Sequence, residues 1–381
     1  MRDSGQTSQY IDVLCVTTKL CIGGVQSFLM NNVELLLRHG IRLNFCVSTN
    51  EKQIYDDYVT SLGCKIYRVT SFLESKRGFM NDLRSLIKAH PELKIIHSHL
   101  NFANIYSFLA ATGLGRVCIS HAHSTYAPSG LINRMTKSVI KAATPLLCDA
   151  YWACSEQALK WIYGPHARSQ KAAVIRNAID TDRFAFNPAK RAEIRAKLGI
   201  VANEFVWIHT GSFSPVKNHA FLIDLFARYQ QRNPNSKLLL CGDGSLRTEI
   251  ETQIAELGLR GKVLLLGNVR NCEDYLSAAD TFVFPSKYEG FALSLLEAQC
   301  AGTTTTTTTT AVPPEVRLRL CTVIDGYDFD TWIEAIEASR NITNNRSEGK
   351  RFIEEAGFSS EKEAERLANL YKNTLTGNFK S

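Results

Sequence analysis

Two glutamates separated by eight positions have the residue type and spacing of a ligand site. They lie in the stretch TFVFPSKYEGFALSLLEAQCAG, over residues 281–302. Its pattern predicts a short buried strand, a tight loop, and a helix that begins near Phe291. Glu289 precedes that helix, and Glu297 falls on its apolar side, where an ionised carboxylate needs a polar partner. A helix N-terminus attracts anions, so the stretch predicts a site for a ligand with phosphate at one end and hydroxyls at the other. The alternative is that Glu297 reaches water or pairs with an arginine.

The segment EGFALSLLEAQCAG resembles the Glu-x7-Glu segment of the retaining, two-domain (GT-B) glycosyltransferases of family 4. Many members of that family build bacterial polysaccharides. In the family, the first glutamate and the amides after it hold the donor sugar and phosphate, and the second glutamate holds the ribose hydroxyls. The resemblance implies these roles for Glu289, for the amides of Phe291, Ala292 and Leu293, and for Glu297.

Length and composition are those of an ordinary soluble protein with two domains. The chain has 381 residues, of which 45% are hydrophobic and 21% charged. Its eleven cysteines form no Cys-x-x-Cys pair and lie in apolar runs, which predicts reduced, buried thiols. No signal peptide and no apolar run near the ~20 residues of a membrane span are evident. We therefore expect a cytoplasmic protein, and the basic first half described next suggests that it acts at the inner face of the plasma membrane.

Positive charge is concentrated in the first half of the chain. Residues 1–180 carry 20 Lys/Arg against 12 Asp/Glu, whereas the remainder carries 24 against 25. No nucleic-acid module accompanies the basic half, so the sequence predicts no nucleic-acid partner and favours an anionic membrane surface. The candidate contact segments are 76–90 and 131–147, and the alternative is two solvated helix faces. Their basic residues are Arg77, Arg84, Lys88, Arg134, Lys137 and Lys141.

Strands alternate with helices along the first half, which predicts a parallel sheet with ligands beyond the carboxyl ends of its strands. Two of these strands end in His-x-His, the pairs being His97/His99 and His121/His123. The spacing fits no standard zinc pattern and no carboxylate accompanies the pairs, so we expect no metal. The family resemblance gives His123, with His121 as second choice, a place against the donor sugar. For His97 we expect a structural role.

A glycine pair lies before the first predicted helix, over residues 25–38. Gly23 and Gly24 sit where the backbone must turn sharply or come close to a ligand. A lone Gly-Gly is weak by itself. It matches the family's N-terminal glycine loop, which lies beside the donor phosphates.

The segment KAAVIRNAIDTDRFAF resembles the family's hinge between domains. It implies an N-terminal acceptor domain over residues 1–180, onto which residues 359–381 cross back. The C-terminal donor domain would span 181–358. Asp180 and Asp182 form an Asp-x-Asp, the metal signature of a different transferase fold. We discount it because it lies in the hinge.

A glycine followed by a lysine at a helix start can hold a diphosphate. In GSFSPVKNHAFLIDLF, Lys217 matches the family's phosphate-binding lysine. Ser212 stands where the family usually has an arginine, which implies weaker donor binding, compensation by Arg270, or an inactive relative. In GNVRNCEDYL, the backbone near Val269 matches the family's segment that contacts the nucleobase.

Eight consecutive threonines, over residues 303–310, follow the organising helix. Threonine can form strands, but a strand buried on both faces is normally rich in Val and Ile. Each buried hydroxyl also needs a partner. The run therefore predicts local instability near the nucleotide site.

The family resemblance, together with these observations, implies an α/β protein of the GT-B class, with two Rossmann-like domains facing each other across a cleft. The predicted activity is transfer of a sugar, with retention, from a nucleotide-sugar donor (a UDP-sugar first) to a hydroxyl of a lipid-linked saccharide, without cofactor or metal. The alternatives are a degenerate nucleotide-sugar-binding scaffold and a GT-B-type epimerase. The predicted catalytic residues are Glu289, His123 and Lys217. The predicted donor-binding residues are Gly23, Gly24, Ser212, Lys217, Val269, Phe291, Ala292, Leu293 and Glu297.

Overall fold

The computed structural model describes residues 10–21, 24–123, 143–289, 291–340 and 345–379. The chain divides into two compact units. The first comprises Met1–Asn177 together with Ser360–Ser381, and the second is Ala178–Ser359. The division thus falls inside the RNAID segment of the predicted hinge.

The first unit is built on a seven-stranded sheet with the order β3-β2-β1-β4-β5-β6-β7, and every pair in it is parallel. Its strands are β1 Ile11–Thr17, β2 Ile41–Val47, β3 Ile66–Arg68, β4 Leu93–Ser98, β5 Val117–Ala122, β6 Ala150–Ala153 and β7 Ala172–Val174. Its helices are α1 Gly24–Arg38, α2 Asp56–Ser61, α3 Lys76–Ala89, α4 Asn104–Ala111 and α5 Glu156–Tyr163. The last helix of the chain, Ser360–Thr376, belongs to this unit.

The apolar runs of the central strands explain this sheet. In β1, six of the seven residues are buried, as expected for a parallel strand covered by helices on both faces. The last helix contributes Leu367, Ala368 and Tyr371 to the core on one face of the sheet. Helix α5 begins after Ser155, whose hydroxyl accepts a hydrogen bond from the amide of Ala158.

The second unit is built on a six-stranded sheet with the order β10-β9-β8-β11-β12-β13, again with parallel pairing. Its strands are β8 Phe205–Thr210, β9 Ser236–Cys241, β10 Val263–Gly267, β11 Thr281–Phe284, β12 Thr304–Thr308 and β13 Cys321–Ile324. Its helices are α6 Pro188–Lys197, α7 His219–Arg232, α8 Arg247–Glu256, α9 Cys272–Ala278, α10 Leu293–Cys300, α11 Phe329–Arg340 and α12 Gly349–Glu355. Two Rossmann-like α/β units confirm the predicted fold class.

The threonine run forms a regular inner strand, β12, and all five of its residues are buried. Most of its hydroxyls donate to backbone carbonyls of neighbouring segments, which supplies the partners that burial requires. The pairs are Thr304–Asp280, Thr305–Leu320, Thr307–Phe284 and Thr308–Ser286, at 3.0–3.4 Å. Thr306 differs: its buried hydroxyl has no hydrogen-bond partner among the described residues.

Two predicted helix starts are corrected by the structure. Helix α10 begins at Leu293 and not near Phe291, because Ala292 adopts a left-handed conformation (φ 61°, ψ 54°) that a right-handed helix cannot contain. Helix α1 begins at Gly24, so this glycine is the first helical residue and not part of the preceding loop. Gly23 lies outside the described residues.

Candidate functional site

An ion pair joins two of the predicted site residues of the second unit. Lys217 ends a short 3-10 turn after β8, and Glu289 follows β11, the neighbouring strand. The Lys217 Nζ donates to Glu289 Oε1 over 2.7 Å, and both side chains are largely buried, at 18% and 12% exposed. The ammonium also lies 5.0 Å from the centre of the Phe284 ring. The structure therefore brings together, from 72 positions apart, a cation and a carboxylate that the sequence suggested separately.

Glycines make room for this lysine at the end of β8. A Cβ added to Gly211 would lie 3.1 Å from Cε of Lys217, so a side chain there would press on the lysine stem. A Cβ on Gly242, at the end of β9, would lie 1.9 Å from the carbonyl oxygen of Gly211. Only glycine permits this approach of the two strand ends, which keeps Lys217 in place.

The N-terminus of α10 is the second part of the site. Ala292, its N-cap, is one of three non-glycine residues with positive φ among those described. Such a conformation costs about 1–3 kcal/mol and persists where the surroundings impose it, often at ligand sites. Ala292 is buried, and the ring of the preceding Phe291 packs against Phe358. The amide of Leu295 donates to the Ala292 carbonyl over 3.0 Å. The two amides before it, of Leu293 and Ser294, have no acceptor within the helix, so they can bind an anion.

Glu297 lies one turn further along α10. Burial raises the pKa of its carboxyl group to about 7, while the nearby Arg183 guanidinium opposes that rise and Glu273 adds to it. Arg183 donates from one nitrogen to the carbonyl of Arg270 and to a carboxylate oxygen of Glu273, both at 2.9 Å. It thereby ties the hinge to the segment that contains Val269. No cation forms an ion pair with Glu297 among the described residues, so its carboxylate can accept hydrogen bonds from a diol.

At the position where the family usually has an arginine, this chain has an uncharged serine. Ser212 is exposed, and its hydroxyl lies 3.3 Å from that of Ser214. Arg270 is exposed, and the bond that the structure gives it is made by its backbone carbonyl. The predicted compensation by Arg270 therefore stays a prediction.

In the first unit, the two His-x-His pairs come together at the carboxyl ends of β4 and β5. His99 and His123 share a ring-to-ring hydrogen bond of 2.8 Å, and His97 and His121 share one of 3.2 Å. His97 also contacts the hydroxyl of Tyr371 at 2.6 Å, consistent with a structural role. Burial lowers the pKa of His123 to about 3, so its imidazole is neutral at physiological pH.

The sequence analysis did not identify three side chains that lie near Glu297 or Lys217. Arg183 and Glu273 lie near Glu297. The third is His219, whose pKa is lowered to about 4 by burial and by the Lys217 ammonium. The only sequence signal for Arg183 was its position directly after the discounted Asp-x-Asp. His219 begins α7 immediately after Asn218, which is itself left-handed (φ 58°).

The predicted membrane segments are described in part. On α3, Arg77 and Lys88 are exposed, whereas Arg84 donates to the carbonyls of Ala110 and Thr112 at the end of α4. The other candidate cations, Arg134, Lys137 and Lys141, lie outside the described residues. Every helix in the described part of the chain is too short or too polar to cross a bilayer.

Comparison with solved structures defines the class of fold. The chain superimposes on Anabaena Alr3699/HepE in complex with UDP with a TM-score of 0.77 at 18% identity, over 96% of this chain and all of that one. It also matches a glycosyltransferase from Rickettsia africae ESF-5, with a TM-score of 0.78 at 16% identity, over 96% and 99% of the two chains. These are GT-B glycosyltransferase folds, with two Rossmann-like domains.

Sequence comparison then gives the family. Residues 22–183 match the model of Glycosyltransferase Family 4, and residues 190–357 match that of Glycosyl transferases group 1. EpsF of Bacillus subtilis (strain 168), which carries a glycosyltransferase name, is 31% identical over 76% of this chain and 77% of its own. The UDP-Gal:alpha-D-GlcNAc-diphosphoundecaprenol alpha-1,3-galactosyltransferase of Escherichia coli is 26% identical over 96% of this chain and 97% of its own. The chain belongs to the group 1, family 4 glycosyltransferases, as the Glu-x7-Glu segment suggested.

Proposed function

We propose that this protein transfers a sugar, with retention of configuration, from a UDP-sugar to a hydroxyl of a lipid-linked saccharide during synthesis of a cell-surface polysaccharide. The observation that carries the proposal is the Lys217–Glu289 pair beside the N-terminus of α10. Support for the donor comes from Alr3699/HepE, which has structures with UDP and with UDP-glucose. Support for the acceptor comes from the name of the Escherichia coli relative, which specifies a diphosphoundecaprenol-linked sugar.

The ion pair suggests how the donor is received. Without ligand, Glu289 neutralises a lysine that is only 18% exposed. A diphosphate would replace the carboxylate as the partner of Lys217 and would extend to the free amides of α10. Glu289 would then be released to accept hydrogen bonds from the sugar hydroxyls. As the bond to the anomeric carbon breaks, negative charge grows on the diphosphate, and the lysine and the helix N-terminus stabilise it.

His123 and Glu297 would orient the two ends of the donor. A neutral imidazole can both donate and accept a hydrogen bond, which suits sugar hydroxyls better than an imidazolium would. Glu297 would accept from the ribose, with Arg183 holding the adjoining backbone of Arg270 against the base. We propose no metal for this step, because lysine and amides supply the positive charge.

A membrane-bound acceptor would require the first unit to approach a lipid surface. Arg77 and Lys88 are exposed on α3, and two apolar side chains near that helix are exposed as well, Leu73 at 81% and Leu109 at 44%. Cations interspersed with exposed apolar groups favour an anionic interface. We propose that this surface holds the enzyme at the cytoplasmic face of the membrane.

Ser212 favours one competing function, that of a degenerate nucleotide-sugar-binding protein. The loss of an arginine removes a charge from the diphosphate site, and the exposed Ser212 does not restore it. Such a protein would bind a nucleotide without transferring a sugar.

A donor panel separates these functions. The wild type would be mixed with UDP-, GDP- and ADP-sugars, and the thermal shift and the release of nucleotide would be followed with and without polyprenyl-diphosphate sugars. We expect a UDP-sugar to stabilise the protein and to release UDP only when an acceptor is present. Stabilisation without release would favour the binding protein, and an epimer formed without acceptor would favour an epimerase.

A further inference from the structure

Four imidazole rings form a compact cluster in the first unit, at the ends of β4 and β5. Neighbouring ring centres are 4.1–5.3 Å apart, and Phe28 covers His121 and His123 at 5.1 and 5.6 Å. Cys15 lies beneath them in β1, and burial raises the pKa of its thiol well above the usual range. The cluster is therefore a group of ring nitrogens that packs on a buried, uncharged thiol.

Hydrogen bonds hold the rings in two chains, and each chain ends in an unused nitrogen. In one, the Tyr371 hydroxyl contacts Nδ1 of His97, and Nε2 of His97 contacts Nδ1 of His121. In the other, Nε2 of His123 contacts Nδ1 of His99. Within the described part of the chain, Nε2 of His121 and Nε2 of His99 are buried without any partner. Burial of an unpaired polar atom is unfavourable, so two such atoms in one cluster could both gain from a shared ligand.

The spacing of the ring nitrogens is close to that of a metal site. One nitrogen from each of the rings of His99, His121 and His123 lies within 4.8 Å of the others. Tetrahedral zinc with Zn–N bonds of about 2.0–2.1 Å needs nitrogens about 3.4 Å apart, so the rings would move closer together on binding. His99 and His123 share a hydrogen bond, and of two neutral rings joined in this way only the donor keeps its other nitrogen unprotonated. Coordination by both rings would therefore replace that bond.

We propose that His99, His121 and His123 form a binding site for a divalent transition-metal ion of the zinc class. The second ring nitrogen of His121 is held by His97, and that ring by Tyr371, which is how metal-binding histidines are usually oriented. His99 and His121 are buried and His123 is half-buried, and the fourth ligand of a tetrahedral ion would come from outside these three rings. The sequence argument against zinc rested on spacing along the chain and on the lack of a carboxylate. Spacing along the chain ignores the pairing of β4 with β5, and three histidines can hold zinc without a carboxylate.

The ion would act as an inhibitor and not as a cofactor. Coordination would occupy a lone pair of His123, the residue proposed to orient the donor sugar, so this consequence rests on the proposed function. Metal binding itself does not rest on it, and the two are tested separately. Binding would require replacement of the His99–His123 hydrogen bond, and we expect chelators to reverse it.

Cobalt(II) is the probe of choice, because tetrahedral Co²⁺ absorbs visibly. The chelator-treated full-length protein would be titrated with CoCl₂, without donor or acceptor, and then with ZnCl₂ in competition. We expect one equivalent of Co²⁺ to give tetrahedral d–d bands that Zn²⁺ abolishes. The variant His123→Asn should lower the Co²⁺ affinity by more than about tenfold, whereas His166→Ala, which removes an exposed imidazole of the same unit, should not change it.

His123 is chosen because it is the least buried of the three rings. His99→Gln provides a second test, and the thermal transition of each variant shows whether it is folded. The proposal is overturned if the wild type gives no one-to-one complex, or if folded His123→Asn and His99→Gln both bind Co²⁺ like the wild type. Assays with an added UDP-sugar then address inhibition. Metal binding without inhibition would refute the inhibitory role alone.

Discussion

The unpaired hydroxyl of Thr306 gives a sharp prediction about the stability of the second unit. Thr306 is the middle residue of β12, paired with Val283 of β11 and Thr322 of β13. Its side chain is fully buried, and its hydroxyl has no partner among the described residues. Valine has nearly the same shape and keeps the β-branch that favours a strand. We expect Thr306→Val to stabilise the protein.

The magnitude follows from burial. An unpaired buried hydroxyl costs about 1–3 kcal/mol, and valine replaces it with a methyl group that gains roughly 0.8 kcal/mol on burial. Allowing for local readjustment, Thr306→Val should raise the free energy of unfolding by about 1–2 kcal/mol. For a domain of this size, each kcal/mol raises the melting temperature by about 2–4 °C.

A neighbouring threonine provides the matched control. The hydroxyl of Thr307 donates to the Phe284 carbonyl at 3.0 Å, and such a bond contributes about 0.5–1.5 kcal/mol net. Thr307→Val should therefore leave the stability unchanged or lower it. Calorimetry on the full chain, read at the transition of the second unit, measures both variants. If Thr306→Val melts at or below the temperature of Thr307→Val, the hydroxyl has a partner and the reasoning fails.

Three further predictions concern the donor site and its support. Burial raises the pKa of Glu297 to about 7, so the carboxylate becomes protonated as the pH falls below that value. We expect UDP to bind about tenfold more weakly at pH 6 than at pH 8, as measured by calorimetry. The variant Glu297→Gln should remove this pH dependence. Arg183→Met should weaken UDP binding and move the midpoint of that dependence to higher pH, since the guanidinium opposes the rise in the pKa of Glu297; an unmoved midpoint would contradict the contact. Arg346 donates to four backbone carbonyls and one hydroxyl, those of Leu276, Ser277, Ala279, Ala301 and Thr303. Arg346→Met should therefore lower the free energy of unfolding, measured in urea, by about 3 kcal/mol. The exposed Arg351→Met should cost under about 1 kcal/mol, and equal losses would refute the difference.

The sequence predicted the strands well where they are apolar and buried. The strands Ile11–Thr17, Phe205–Thr210 and Thr281–Phe284 lie on apolar runs, because parallel strands covered on both faces are continuously apolar. The threonine strand shows the limit of that signal. All of its hydroxyls except that of Thr306 donate to carbonyls of other segments, which no local pattern reveals.

Site residues could be suggested singly, but their relations could not be predicted. The Lys217–Glu289 pair depends on β8 and β11 being neighbours in the sheet, although 72 positions separate the two residues. The left-handed Ala292 gives no signal, because alanine is normally a helix former. The interlocked histidines likewise depend on the register of β4 against β5.

The most direct test of the account is transfer of labelled sugar from the UDP-sugar selected by the donor panel to a polyprenyl-diphosphate saccharide. Wild-type protein would be compared with Lys217→Met, Glu289→Gln and the control Lys287→Met, which removes a nearby exposed lysine. We predict a glycolipid product with one UDP released per sugar, a fall in rate of about 10²–10³ for the first two variants, and a near-normal rate for the control. Transfer that survives Lys217→Met and Glu289→Gln, or no transfer by a wild type that binds the donor, would contradict it.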